Sequence, residues 1–229
     1  MNFAAIADNA PQYLAGAWTT TQLLFIALIS GLVFAVPFAV LRTLPSGWAW
    51  RPVWLFTYVI RGTPLLVQLF LIYYGLAQFA WVRESIAWPW LSSAWFCACL
   101  AFAINTCAYT TEIIAGAIRT TPPGEVEAAR AMGMSRSTLF RRILLPSAAR
   151  RAIPAYGNEV ILMLQGTSLA SVVTLLDLTG VARDVNSRFF VPFEAFIAAA
   201  LLYLAITMVL VGAFHWAERR WLAHLRPRT

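Results

Sequence analysis

Long apolar runs alternate with polar segments along this chain of 229 residues. A helix needs about 20 predominantly apolar residues to cross the hydrocarbon core of a bilayer. The runs at residues 19–41, 54–79, 93–118, 153–176 and 193–216 each reach that length. The pattern therefore predicts an all-α integral membrane protein, in which residues 1–229 form one transmembrane domain with five spanning helices.

The longest polar segment, residues 119–151, is predicted to contain two helices. After Gly124 the sequence is rich in good helix formers, and Gly133 is the residue type that most often follows a helix C-terminus. Ser135 is a favourable N-cap for a second, amphipathic helix. We expect that helix to end before Pro146, because proline disfavours helical geometry at the residue that precedes it.

Two local features modify the pattern of five helices. Pro64 lies early in the second apolar run and has no backbone N–H, so we expect a kink there. Residues 177–192 are polar with a few apolar residues between them, and they predict a short helix at the membrane interface.

The composition fits a membrane protein and excludes several kinds of chemistry. The chain is 60% hydrophobic and 12% charged, and the charged fraction is about half that of soluble domains. All 17 basic residues are arginine, so a P-loop lysine or a Schiff-base lysine is excluded, and any ATP must be bound by another subunit. The two histidines lie near the C-terminus and the three cysteines lie in one apolar run. We therefore expect no catalytic residue, no metal site and no bound cofactor.

The arginines are distributed unevenly among the polar segments. Thirteen of them lie in residues 42–52, in residues 119–151 and in the C-terminal tail, whereas Arg83, Arg183 and Arg188 lie in the other connections. Cytoplasmic loops carry an excess of arginine, which explains the net charge of +7 better than a nucleic-acid partner does. The asymmetry predicts that the N-terminus lies outside, and that the C-terminus and the long polar segment lie in the cytoplasm.

Seven residues of the long polar segment have the spacing of a known motif. A Glu-Ala-Ala triplet is followed by three residues and a glycine, then by nine residues, an isoleucine, one further residue and a Leu-Pro pair. These residues are Glu127, Ala128, Ala129, Gly133, Ile143, Leu145 and Pro146. The arrangement resembles the EAA motif of ABC-importer permeases. The resemblance implies that this segment is a coupling helix, which docks into a groove on a cytoplasmic ATPase subunit.

The resemblance extends over most of residues 54–176. The stretches R-G-T-P-L-L-V-Q-L from Arg61, N-T-C-A-Y-T-T-E from Asn105 and A-Y-G-N-E-V-I-L-M-L from Ala155 are similar to the polar amino-acid uptake family. Within it they resemble the M-type permeases of importers for histidine, lysine, arginine and ornithine. The resemblance implies the MetI-like fold of type I ABC importers, in the bacterial inner membrane. The implied partners are a cytoplasmic ATPase dimer, a second permease subunit and a periplasmic amino-acid-binding protein.

Two carboxylates, Glu112 and Glu159, lie within or at the end of apolar runs. Such residues are costly to bury and usually face a bundle interior or a water-filled path, where a carboxylate can pair with a cationic substrate group. Asn105, Tyr109 and Glu112 are spaced i, i+4 and i+7, so they share one helix face. The predicted substrate pathway consists of Glu159, Asn158, Glu112, Tyr109, Asn105, Thr167 and Ser168.

Each of these residues also has a structural interpretation. The two glutamates could be hydrated near the interface, or paired with an arginine such as Arg61 or Arg119. Thr167, Ser168 and also Ser171 could hydrogen-bond between helices, as is common in membrane bundles. Arg61 suits either snorkelling to the interface or a role in gating or subunit contact.

The leading hypothesis is the permease subunit of an ATP-driven importer for polar, basic amino acids, with ATP hydrolysis on a separate subunit. Relatives often have a charged or strongly polar pair where this chain has Gln165 and Gly166, so glutamine, glutamate and cystine stay open as substrates. A stand-alone channel or secondary transporter leaves the EAA-like motif unexplained. An intramembrane enzyme has little support from the residue types present. M-type relatives typically pair with a different permease, which favours a heterodimer over two copies of this chain.

Overall fold

The computed structural model describes residues 4–44 and 47–222, and its regular elements are helices. In chain order they are α1 (Ala4–Asp8), α2 (Ala10–Thr43), α3 (Gly47–Arg61), α4 (Leu65–Phe70), α5 (Ala80–Arg83), α6 (Trp88–Leu91), α7 (Ala94–Arg119), α8 (Pro123–Ala131), α9 (Arg136–Leu139), α10 (Leu145–Gly166), α11 (Leu178–Phe189) and α12 (Pro192–Trp221). The predicted all-α class is confirmed. Arg226 and Arg228, two of the tail arginines behind the topology prediction, lie outside the described residues.

Three helices of the described chain, α2, α7 and α12, are each long and apolar enough to cross a membrane. The predicted spans at residues 19–41, 93–118 and 193–216 coincide with most of their lengths. α2 and α7 approach closely because small residues lie between them. A Cβ atom on Gly31 would lie 2.4 Å from Cγ2 of Thr106. Such close contacts through small side chains are typical of helix pairs in membranes.

The main apolar core lies between α2, α7 and α10. It contains Leu23 and Leu24 from α2, Phe102 from α7, and Val160 and Leu164 from α10, all of which are almost fully buried. By contrast, only 11% of the most apolar window of α12 is buried within this chain. The core therefore fixes α7 and α10 against each other, while much of α12 is left for lipid or another subunit.

The second predicted span, residues 54–79, is not one helix. α3 ends at Arg61, and the segment that begins with α4 continues through a π turn (Leu71–Gly75) and a 3-10 turn to Gln78. The two helical parts meet at 102°. Pro64 between them is extended, with φ −63° and ψ 137°. The predicted kink at Pro64 is therefore a complete break, because proline has no N–H to continue the helix.

The helix that follows Ser135 does not end at Pro146, so that prediction is wrong. α9, a π turn at Phe140–Leu144 and α10 follow one another without interruption. Leu145, which precedes the proline, keeps helical dihedral angles of −66° and −46°. A π turn closes wider hydrogen-bonded rings, and it allows the chain to pass the position where proline lacks a donor. The second helix of the long polar segment is thus continuous with the fourth predicted span, residues 153–176, which ends as a 3-10 turn at Thr167–Val173.

Residues 177–192 contain the predicted short helix, which is α11. Asp177 caps it, because its carboxylate accepts from the Gly180 N–H at 3.0 Å and the Thr179 N–H at 3.2 Å. The Tyr203 hydroxyl of α12 donates to the same carboxylate at 3.1 Å. The apolar residues of α11 are buried together with Tyr13 of α2 and with residues of α12. α11 is therefore packed into the bundle and not merely placed on its surface.

Candidate functional site

A cleft of about 420 Å³ lies where the break between α3 and α4 faces α7 and α10. Its lining comprises Arg61, Gly62, Thr63, Pro64, Leu65, Asn105, Tyr109, Glu159, Leu162 and Met163. Three residues of the predicted pathway, Asn105, Tyr109 and Glu159, thus share one cavity with Arg61. The break itself forms part of the lining, since Gly62, Thr63 and Pro64 all border this space.

Gln68, one turn after the break at Pro64, stabilises the geometry of the break by hydrogen bonds to the preceding residues. Its Nε2 donates to the carbonyl oxygen of Ile60 at 2.6 Å and lies 2.8 Å from the hydroxyl of Thr63. In an unbroken helix the Ile60 carbonyl would accept from residue 64, but proline has no donor. Gln68 therefore supplies the missing donor, and its Oε1 accepts from Nδ2 of Asn105 at 3.0 Å.

The sequence analysis did not identify Gln68 as a site residue. A signal for it exists, since Pro64 removes the helical donor to the Ile60 carbonyl and Gln68 is the nearest amide side chain in the same apolar run. Gln68 is 7% exposed, and a buried amide of this kind usually has hydrogen-bond partners.

Glu159 and Arg61 give the cleft two opposite charges that are not paired with each other. Glu159 is 5% exposed, and no basic group in the described chain lies within 4.0 Å of its carboxylate. The Arg61 guanidinium lies 5.1 Å from the centroid of the Tyr109 ring, which is a cation–π distance. Arg61 interacts electrostatically with Glu159 without forming a direct ion pair. The cleft therefore offers a carboxylate that can pair with an ammonium group and a guanidinium that can pair with a carboxylate.

Asn158 precedes Glu159 on α10 but does not line the cleft. Its side chain is exposed, as is that of Gln165 further along the same helix. Both are polar groups in the middle of an otherwise apolar segment. Such groups are costly in contact with hydrocarbon, so this side of α10 favours contact with protein or water.

The hydroxyls at the end of α10 bond within their own segment. Thr167 and Ser168 each donate to the carbonyl oxygen three residues earlier, at 2.6 Å and 2.7 Å. Ser171 does the same and also accepts a hydrogen bond from Arg183 of α11. The interpretation as hydrogen bonds between helices therefore holds for Ser171, and the structure shows no such bond for Thr167 or Ser168.

Glu112 lies away from the cleft, in an ion pair with Arg42 of α2. Its Oε1 accepts from Arg42 Nε at 2.9 Å and from the Thr57 hydroxyl of α3 at 2.8 Å. Arg119 donates to the carbonyl oxygen of Arg42 at 2.9 Å. The arginine partner is therefore Arg42, although Arg119 is close by and Arg61 is not involved. This cluster ties α2, α3 and α7 together.

The EAA-like segment begins on α8 with an exposed face. Glu127 and Ala128 are exposed, whereas Ala129 is buried beneath them. Met132, just past the helix, is 80% exposed. Ile143 and Leu145 are half-buried, and Pro146 is exposed at the start of α10. The side chains of Ala128 and Ala129 are short, so another backbone can approach this face closely. The exposed Met132 lies next to them.

Gly133 ends α8 as predicted, in the left-handed conformation with φ +72°. Its N–H donates to the Arg130 carbonyl at 2.9 Å, and the Met134 N–H donates to the Ala129 carbonyl at 3.1 Å. These two bonds form a Schellman closure, which strongly favours glycine at this position. Ser135 then caps α9 as predicted, because its hydroxyl accepts from the Thr138 N–H at 3.3 Å.

Two buried carboxylates, Asp177 and Glu194, were not among the predicted site residues. Asp177 is accounted for by its cap on α11, and Glu194 lies in the first turn of α12. Across residues 4–44 and 47–222, no three histidine, cysteine, aspartate or glutamate side chains converge as metal ligands.

Comparison with known proteins places this geometry in context. The family model described as "Binding-protein-dependent transport system inner membrane component" matches residues 27–223. The chain is 45% identical over 229 residues to the nopaline transport system permease protein NocM of Agrobacterium fabrum, covering 100% of this chain and 95% of that protein. It is 48% identical over 213 residues to the histidine/lysine/arginine/ornithine transport system permease protein HisM of Escherichia coli, covering 93% and 90%. A solved amino acid ABC transporter with histidines is similar with a TM-score of 0.86 and 34% identity, over 96% of this chain and 99% of that chain.

Proposed function

Because the chain belongs to the family of binding-protein-dependent transport system inner membrane components, we propose that it imports polar, basic amino acids. The family resemblance seen in the sequence is confirmed, and the chain is a multi-pass permease subunit of an amino-acid ABC importer in the inner membrane. Its fold is that of type I importer permeases. It is not an enzyme, since a separate subunit of such importers hydrolyses ATP.

The observation that carries the proposal is that Glu159 and Arg61 line one cleft without forming an ion pair with each other. An amino acid with a basic side chain has two cationic groups and one carboxylate. Glu159 is buried with no ion pair to an arginine in the described chain, so it can pair with one cationic group of the substrate, while Arg61, which makes no ion pair there either, can pair with the substrate carboxylate. Asn105 and Tyr109 line the same cleft and offer hydrogen bonds to the substrate.

The same charges bear on the alternative substrates. HisM is named for histidine, lysine, arginine and ornithine, and NocM for nopaline. A glutamate substrate has a carboxylate on its side chain as well as on its backbone. In the cleft it would place an additional negative charge near Glu159, and two carboxylates in one site repel each other. Glutamine has a single carboxylate and carries no such penalty, so it stays as an alternative that the uptake experiment below separates. Cystine has a second carboxylate together with a second ammonium group, and it also stays as an alternative.

For the membrane topology we propose five spans, with the N-terminus outside and the C-terminus inside. Three straight helices and two bent pairs in the described chain give five spans if each bent pair crosses once. The arginine-rich connections then lie on the cytoplasmic side, in accord with the positive-inside rule.

For the coupling step we propose that α8 docks on a cytoplasmic ATPase dimer. Glu127, Ala128, Ala129 and Gly133 would form or shape the docking face, and Ile143, Leu145 and Pro146 would connect it to α10. Closure of the ATPases on ATP would then displace α8 and open the permease outward. The exposed face of α8 and its ordered end at Gly133 support this role.

For the remaining partners we propose a second permease subunit, most simply a paralogue, and a periplasmic amino-acid-binding protein. The exposed amides of Asn158 and Gln165 support a second permease that covers this side of α10. The cleft at Glu159 is itself open on one side, so a facing subunit would close it.

The test is uptake of labelled arginine, histidine, glutamine and glutamate into proteoliposomes that hold this chain with its permease partner, ATPase and binding protein. The proposal predicts ATP-dependent uptake of arginine and histidine that exceeds uptake of glutamine and glutamate. ATP-dependent uptake of glutamine alone would overturn the basic-substrate assignment. Uptake by this chain without ATPase or ATP would contradict the coupling proposal.

A further inference from the structure

α8 is attached to α10 by a chain of polar contacts that runs outside the EAA-like motif. The Ser147 hydroxyl donates to Glu125 Oε2 at 3.0 Å, and Arg151 Nη1 donates to the Ser147 oxygen at 2.6 Å. Glu125 lies in the first turn of α8, whereas Ser147 and Arg151 lie one turn apart on α10. One serine therefore connects a carboxylate on α8 with a guanidinium on α10.

The same guanidinium also holds the end of α7. Arg151 Nη2 donates to the Ala117 carbonyl at 3.1 Å and to the Thr121 hydroxyl at 2.6 Å. The Nε atom of Arg151 is buried without a partner, so the side chain is enclosed where these contacts meet. Arg151 thus joins α7, α8 and α10 at one point.

Few other contacts fix α8 in place. Ala129 is its one buried residue in the described structure. The segments that connect α8 to its neighbours, residues 120–122 and 132–135, are short turns. With so little apolar surface buried, the orientation of α8 depends largely on hydrogen bonds of the kind that Glu125, Ser147 and Arg151 make.

α10 carries this attachment point at one end and Glu159 further along. Glu159 lies eight positions after Arg151, which is about 12 Å along an α-helix. The helix is continuous between them. A displacement of α8 that moved Arg151 would therefore act on the same helix that carries Glu159, with Pro154 lying between the two residues.

We propose that Arg151, through Ser147 and Glu125, is a positioning residue that makes α8 and α10 move as one body. The inference rests on the proposed function, in which an ATPase displaces α8. In this account Arg151 contacts neither substrate nor ATP, and its removal uncouples ATP hydrolysis from transport.

The experiment measures amino acid transported per ATP hydrolysed by the complete transporter in proteoliposomes. The variants are Arg151→Ala, Glu125→Ala and Ser147→Ala. The matched control is Arg150→Ala, because Arg150 is an exposed arginine on the same turn for which the structure shows no hydrogen bond or ion pair. We expect the transport-to-ATP ratio to fall about tenfold in the three variants and to stay within about twofold in the control.

Two further variants make the outcome decisive. Arg151→Lys keeps the charge but loses the forked guanidinium, so it should give a ratio between those of wild type and Arg151→Ala. The double variant Glu125→Ala, Arg151→Ala should be no worse than Arg151→Ala alone, because both remove the same connection. A transport-to-ATP ratio in Arg151→Ala and Glu125→Ala that equals the Arg150→Ala control would overturn the proposal.

Failure of the proposed function would be seen separately. If wild type transports no amino acid, the function is wrong, and hydrogen exchange of the α8 amides still tests the attachment. In Arg151→Ala those amides should exchange faster than in wild type, whereas Arg150→Ala should leave them unchanged. Equal exchange in both variants would contradict the attachment itself.

Discussion

Asn105 of α7 donates a 3.0 Å hydrogen bond to Gln68, which in turn donates to the backbone on the other side of the Pro64 break. The broken span and α7 are therefore connected through one amide. This connection sets the width of the cleft that contains Glu159.

Gln68→Leu should destabilise the protein and lower uptake. The substitution removes the 2.6 Å hydrogen bond to the Ile60 carbonyl, which keeps only its longer contacts with Thr63. It also leaves the Asn105 amide without its Gln68 partner, at a cost of about 1–3 kcal/mol for that buried group. Thermal unfolding of the purified chain in detergent measures the loss, and proteoliposome uptake measures its effect on transport. Gln78→Leu is the control, since Gln78 is exposed and makes one long contact of 3.4 Å. Equal melting temperatures for the two variants would contradict the role of Gln68.

Glu112 and Arg42 should act on stability and not on substrate choice. A double-mutant cycle with Glu112→Gln and Arg42→Met should give a coupling energy of about 1–3 kcal/mol, because both side chains are largely buried. The control pair is Asp184 and Arg188, whose side chains are 45% and 42% exposed and should couple by about 0.5 kcal/mol or less. A change in the ratio of arginine to glutamine uptake in Glu112→Gln would instead place Glu112 in the pathway.

Gly133→Val should impair coupling while Gly133→Asn should not. A Cβ at Gly133 has open space around it, so the penalty is one of backbone conformation alone. At φ +72° that penalty is about 1–2 kcal/mol for a side chain such as valine, whereas asparagine tolerates the left-handed region. ATPase stimulation by the loaded binding protein is the measurement.

Gly124→Val is the control for Gly133→Val, since Gly124 also has open space but does not have a positive φ. Equal ATPase stimulation in Gly133→Val and Gly124→Val would show that the left-handed end of α8 has no part in coupling.

The sequence was sufficient for the helical class, the end of α8 at Gly133 and the cap at Ser135, because these depend on local residue preferences. It was also sufficient to identify Asn105, Tyr109 and Glu159 as candidate site residues, because polar groups inside apolar runs are rare. The consequence of each proline was harder to predict. Pro64 breaks its helix and Pro146 does not, since a π turn precedes the second one. That difference depends on hydrogen bonds several residues away.

Pairings between distant residues also escaped the sequence. Arg42 and Glu112 are 70 positions apart, and Gln68 and Asn105 are 37 apart. Their contacts depend on how α2, α7 and the broken span pack, and no local pattern in one sequence encodes that packing. The attachment of Arg151 to Glu125 through Ser147 escaped for the same reason.

The most direct test of the central claim is the substrate preference of Glu159→Gln. The variant keeps the size of the side chain and removes its charge. The control is Glu84→Gln, which makes the same chemical change at an exposed glutamate outside the cleft. Both variants are compared with wild type for ATP-dependent uptake of arginine and glutamine. We expect Glu159→Gln to lower arginine uptake relative to glutamine by about tenfold, since a hydrogen-bonded charge pair contributes about 1.5–3 kcal/mol.

Glu84→Gln should leave that uptake ratio unchanged. An unchanged ratio in Glu159→Gln, with ATP hydrolysis still stimulated by the loaded binding protein, would contradict the assignment of the Glu159 cleft as the site that recognises a basic amino acid.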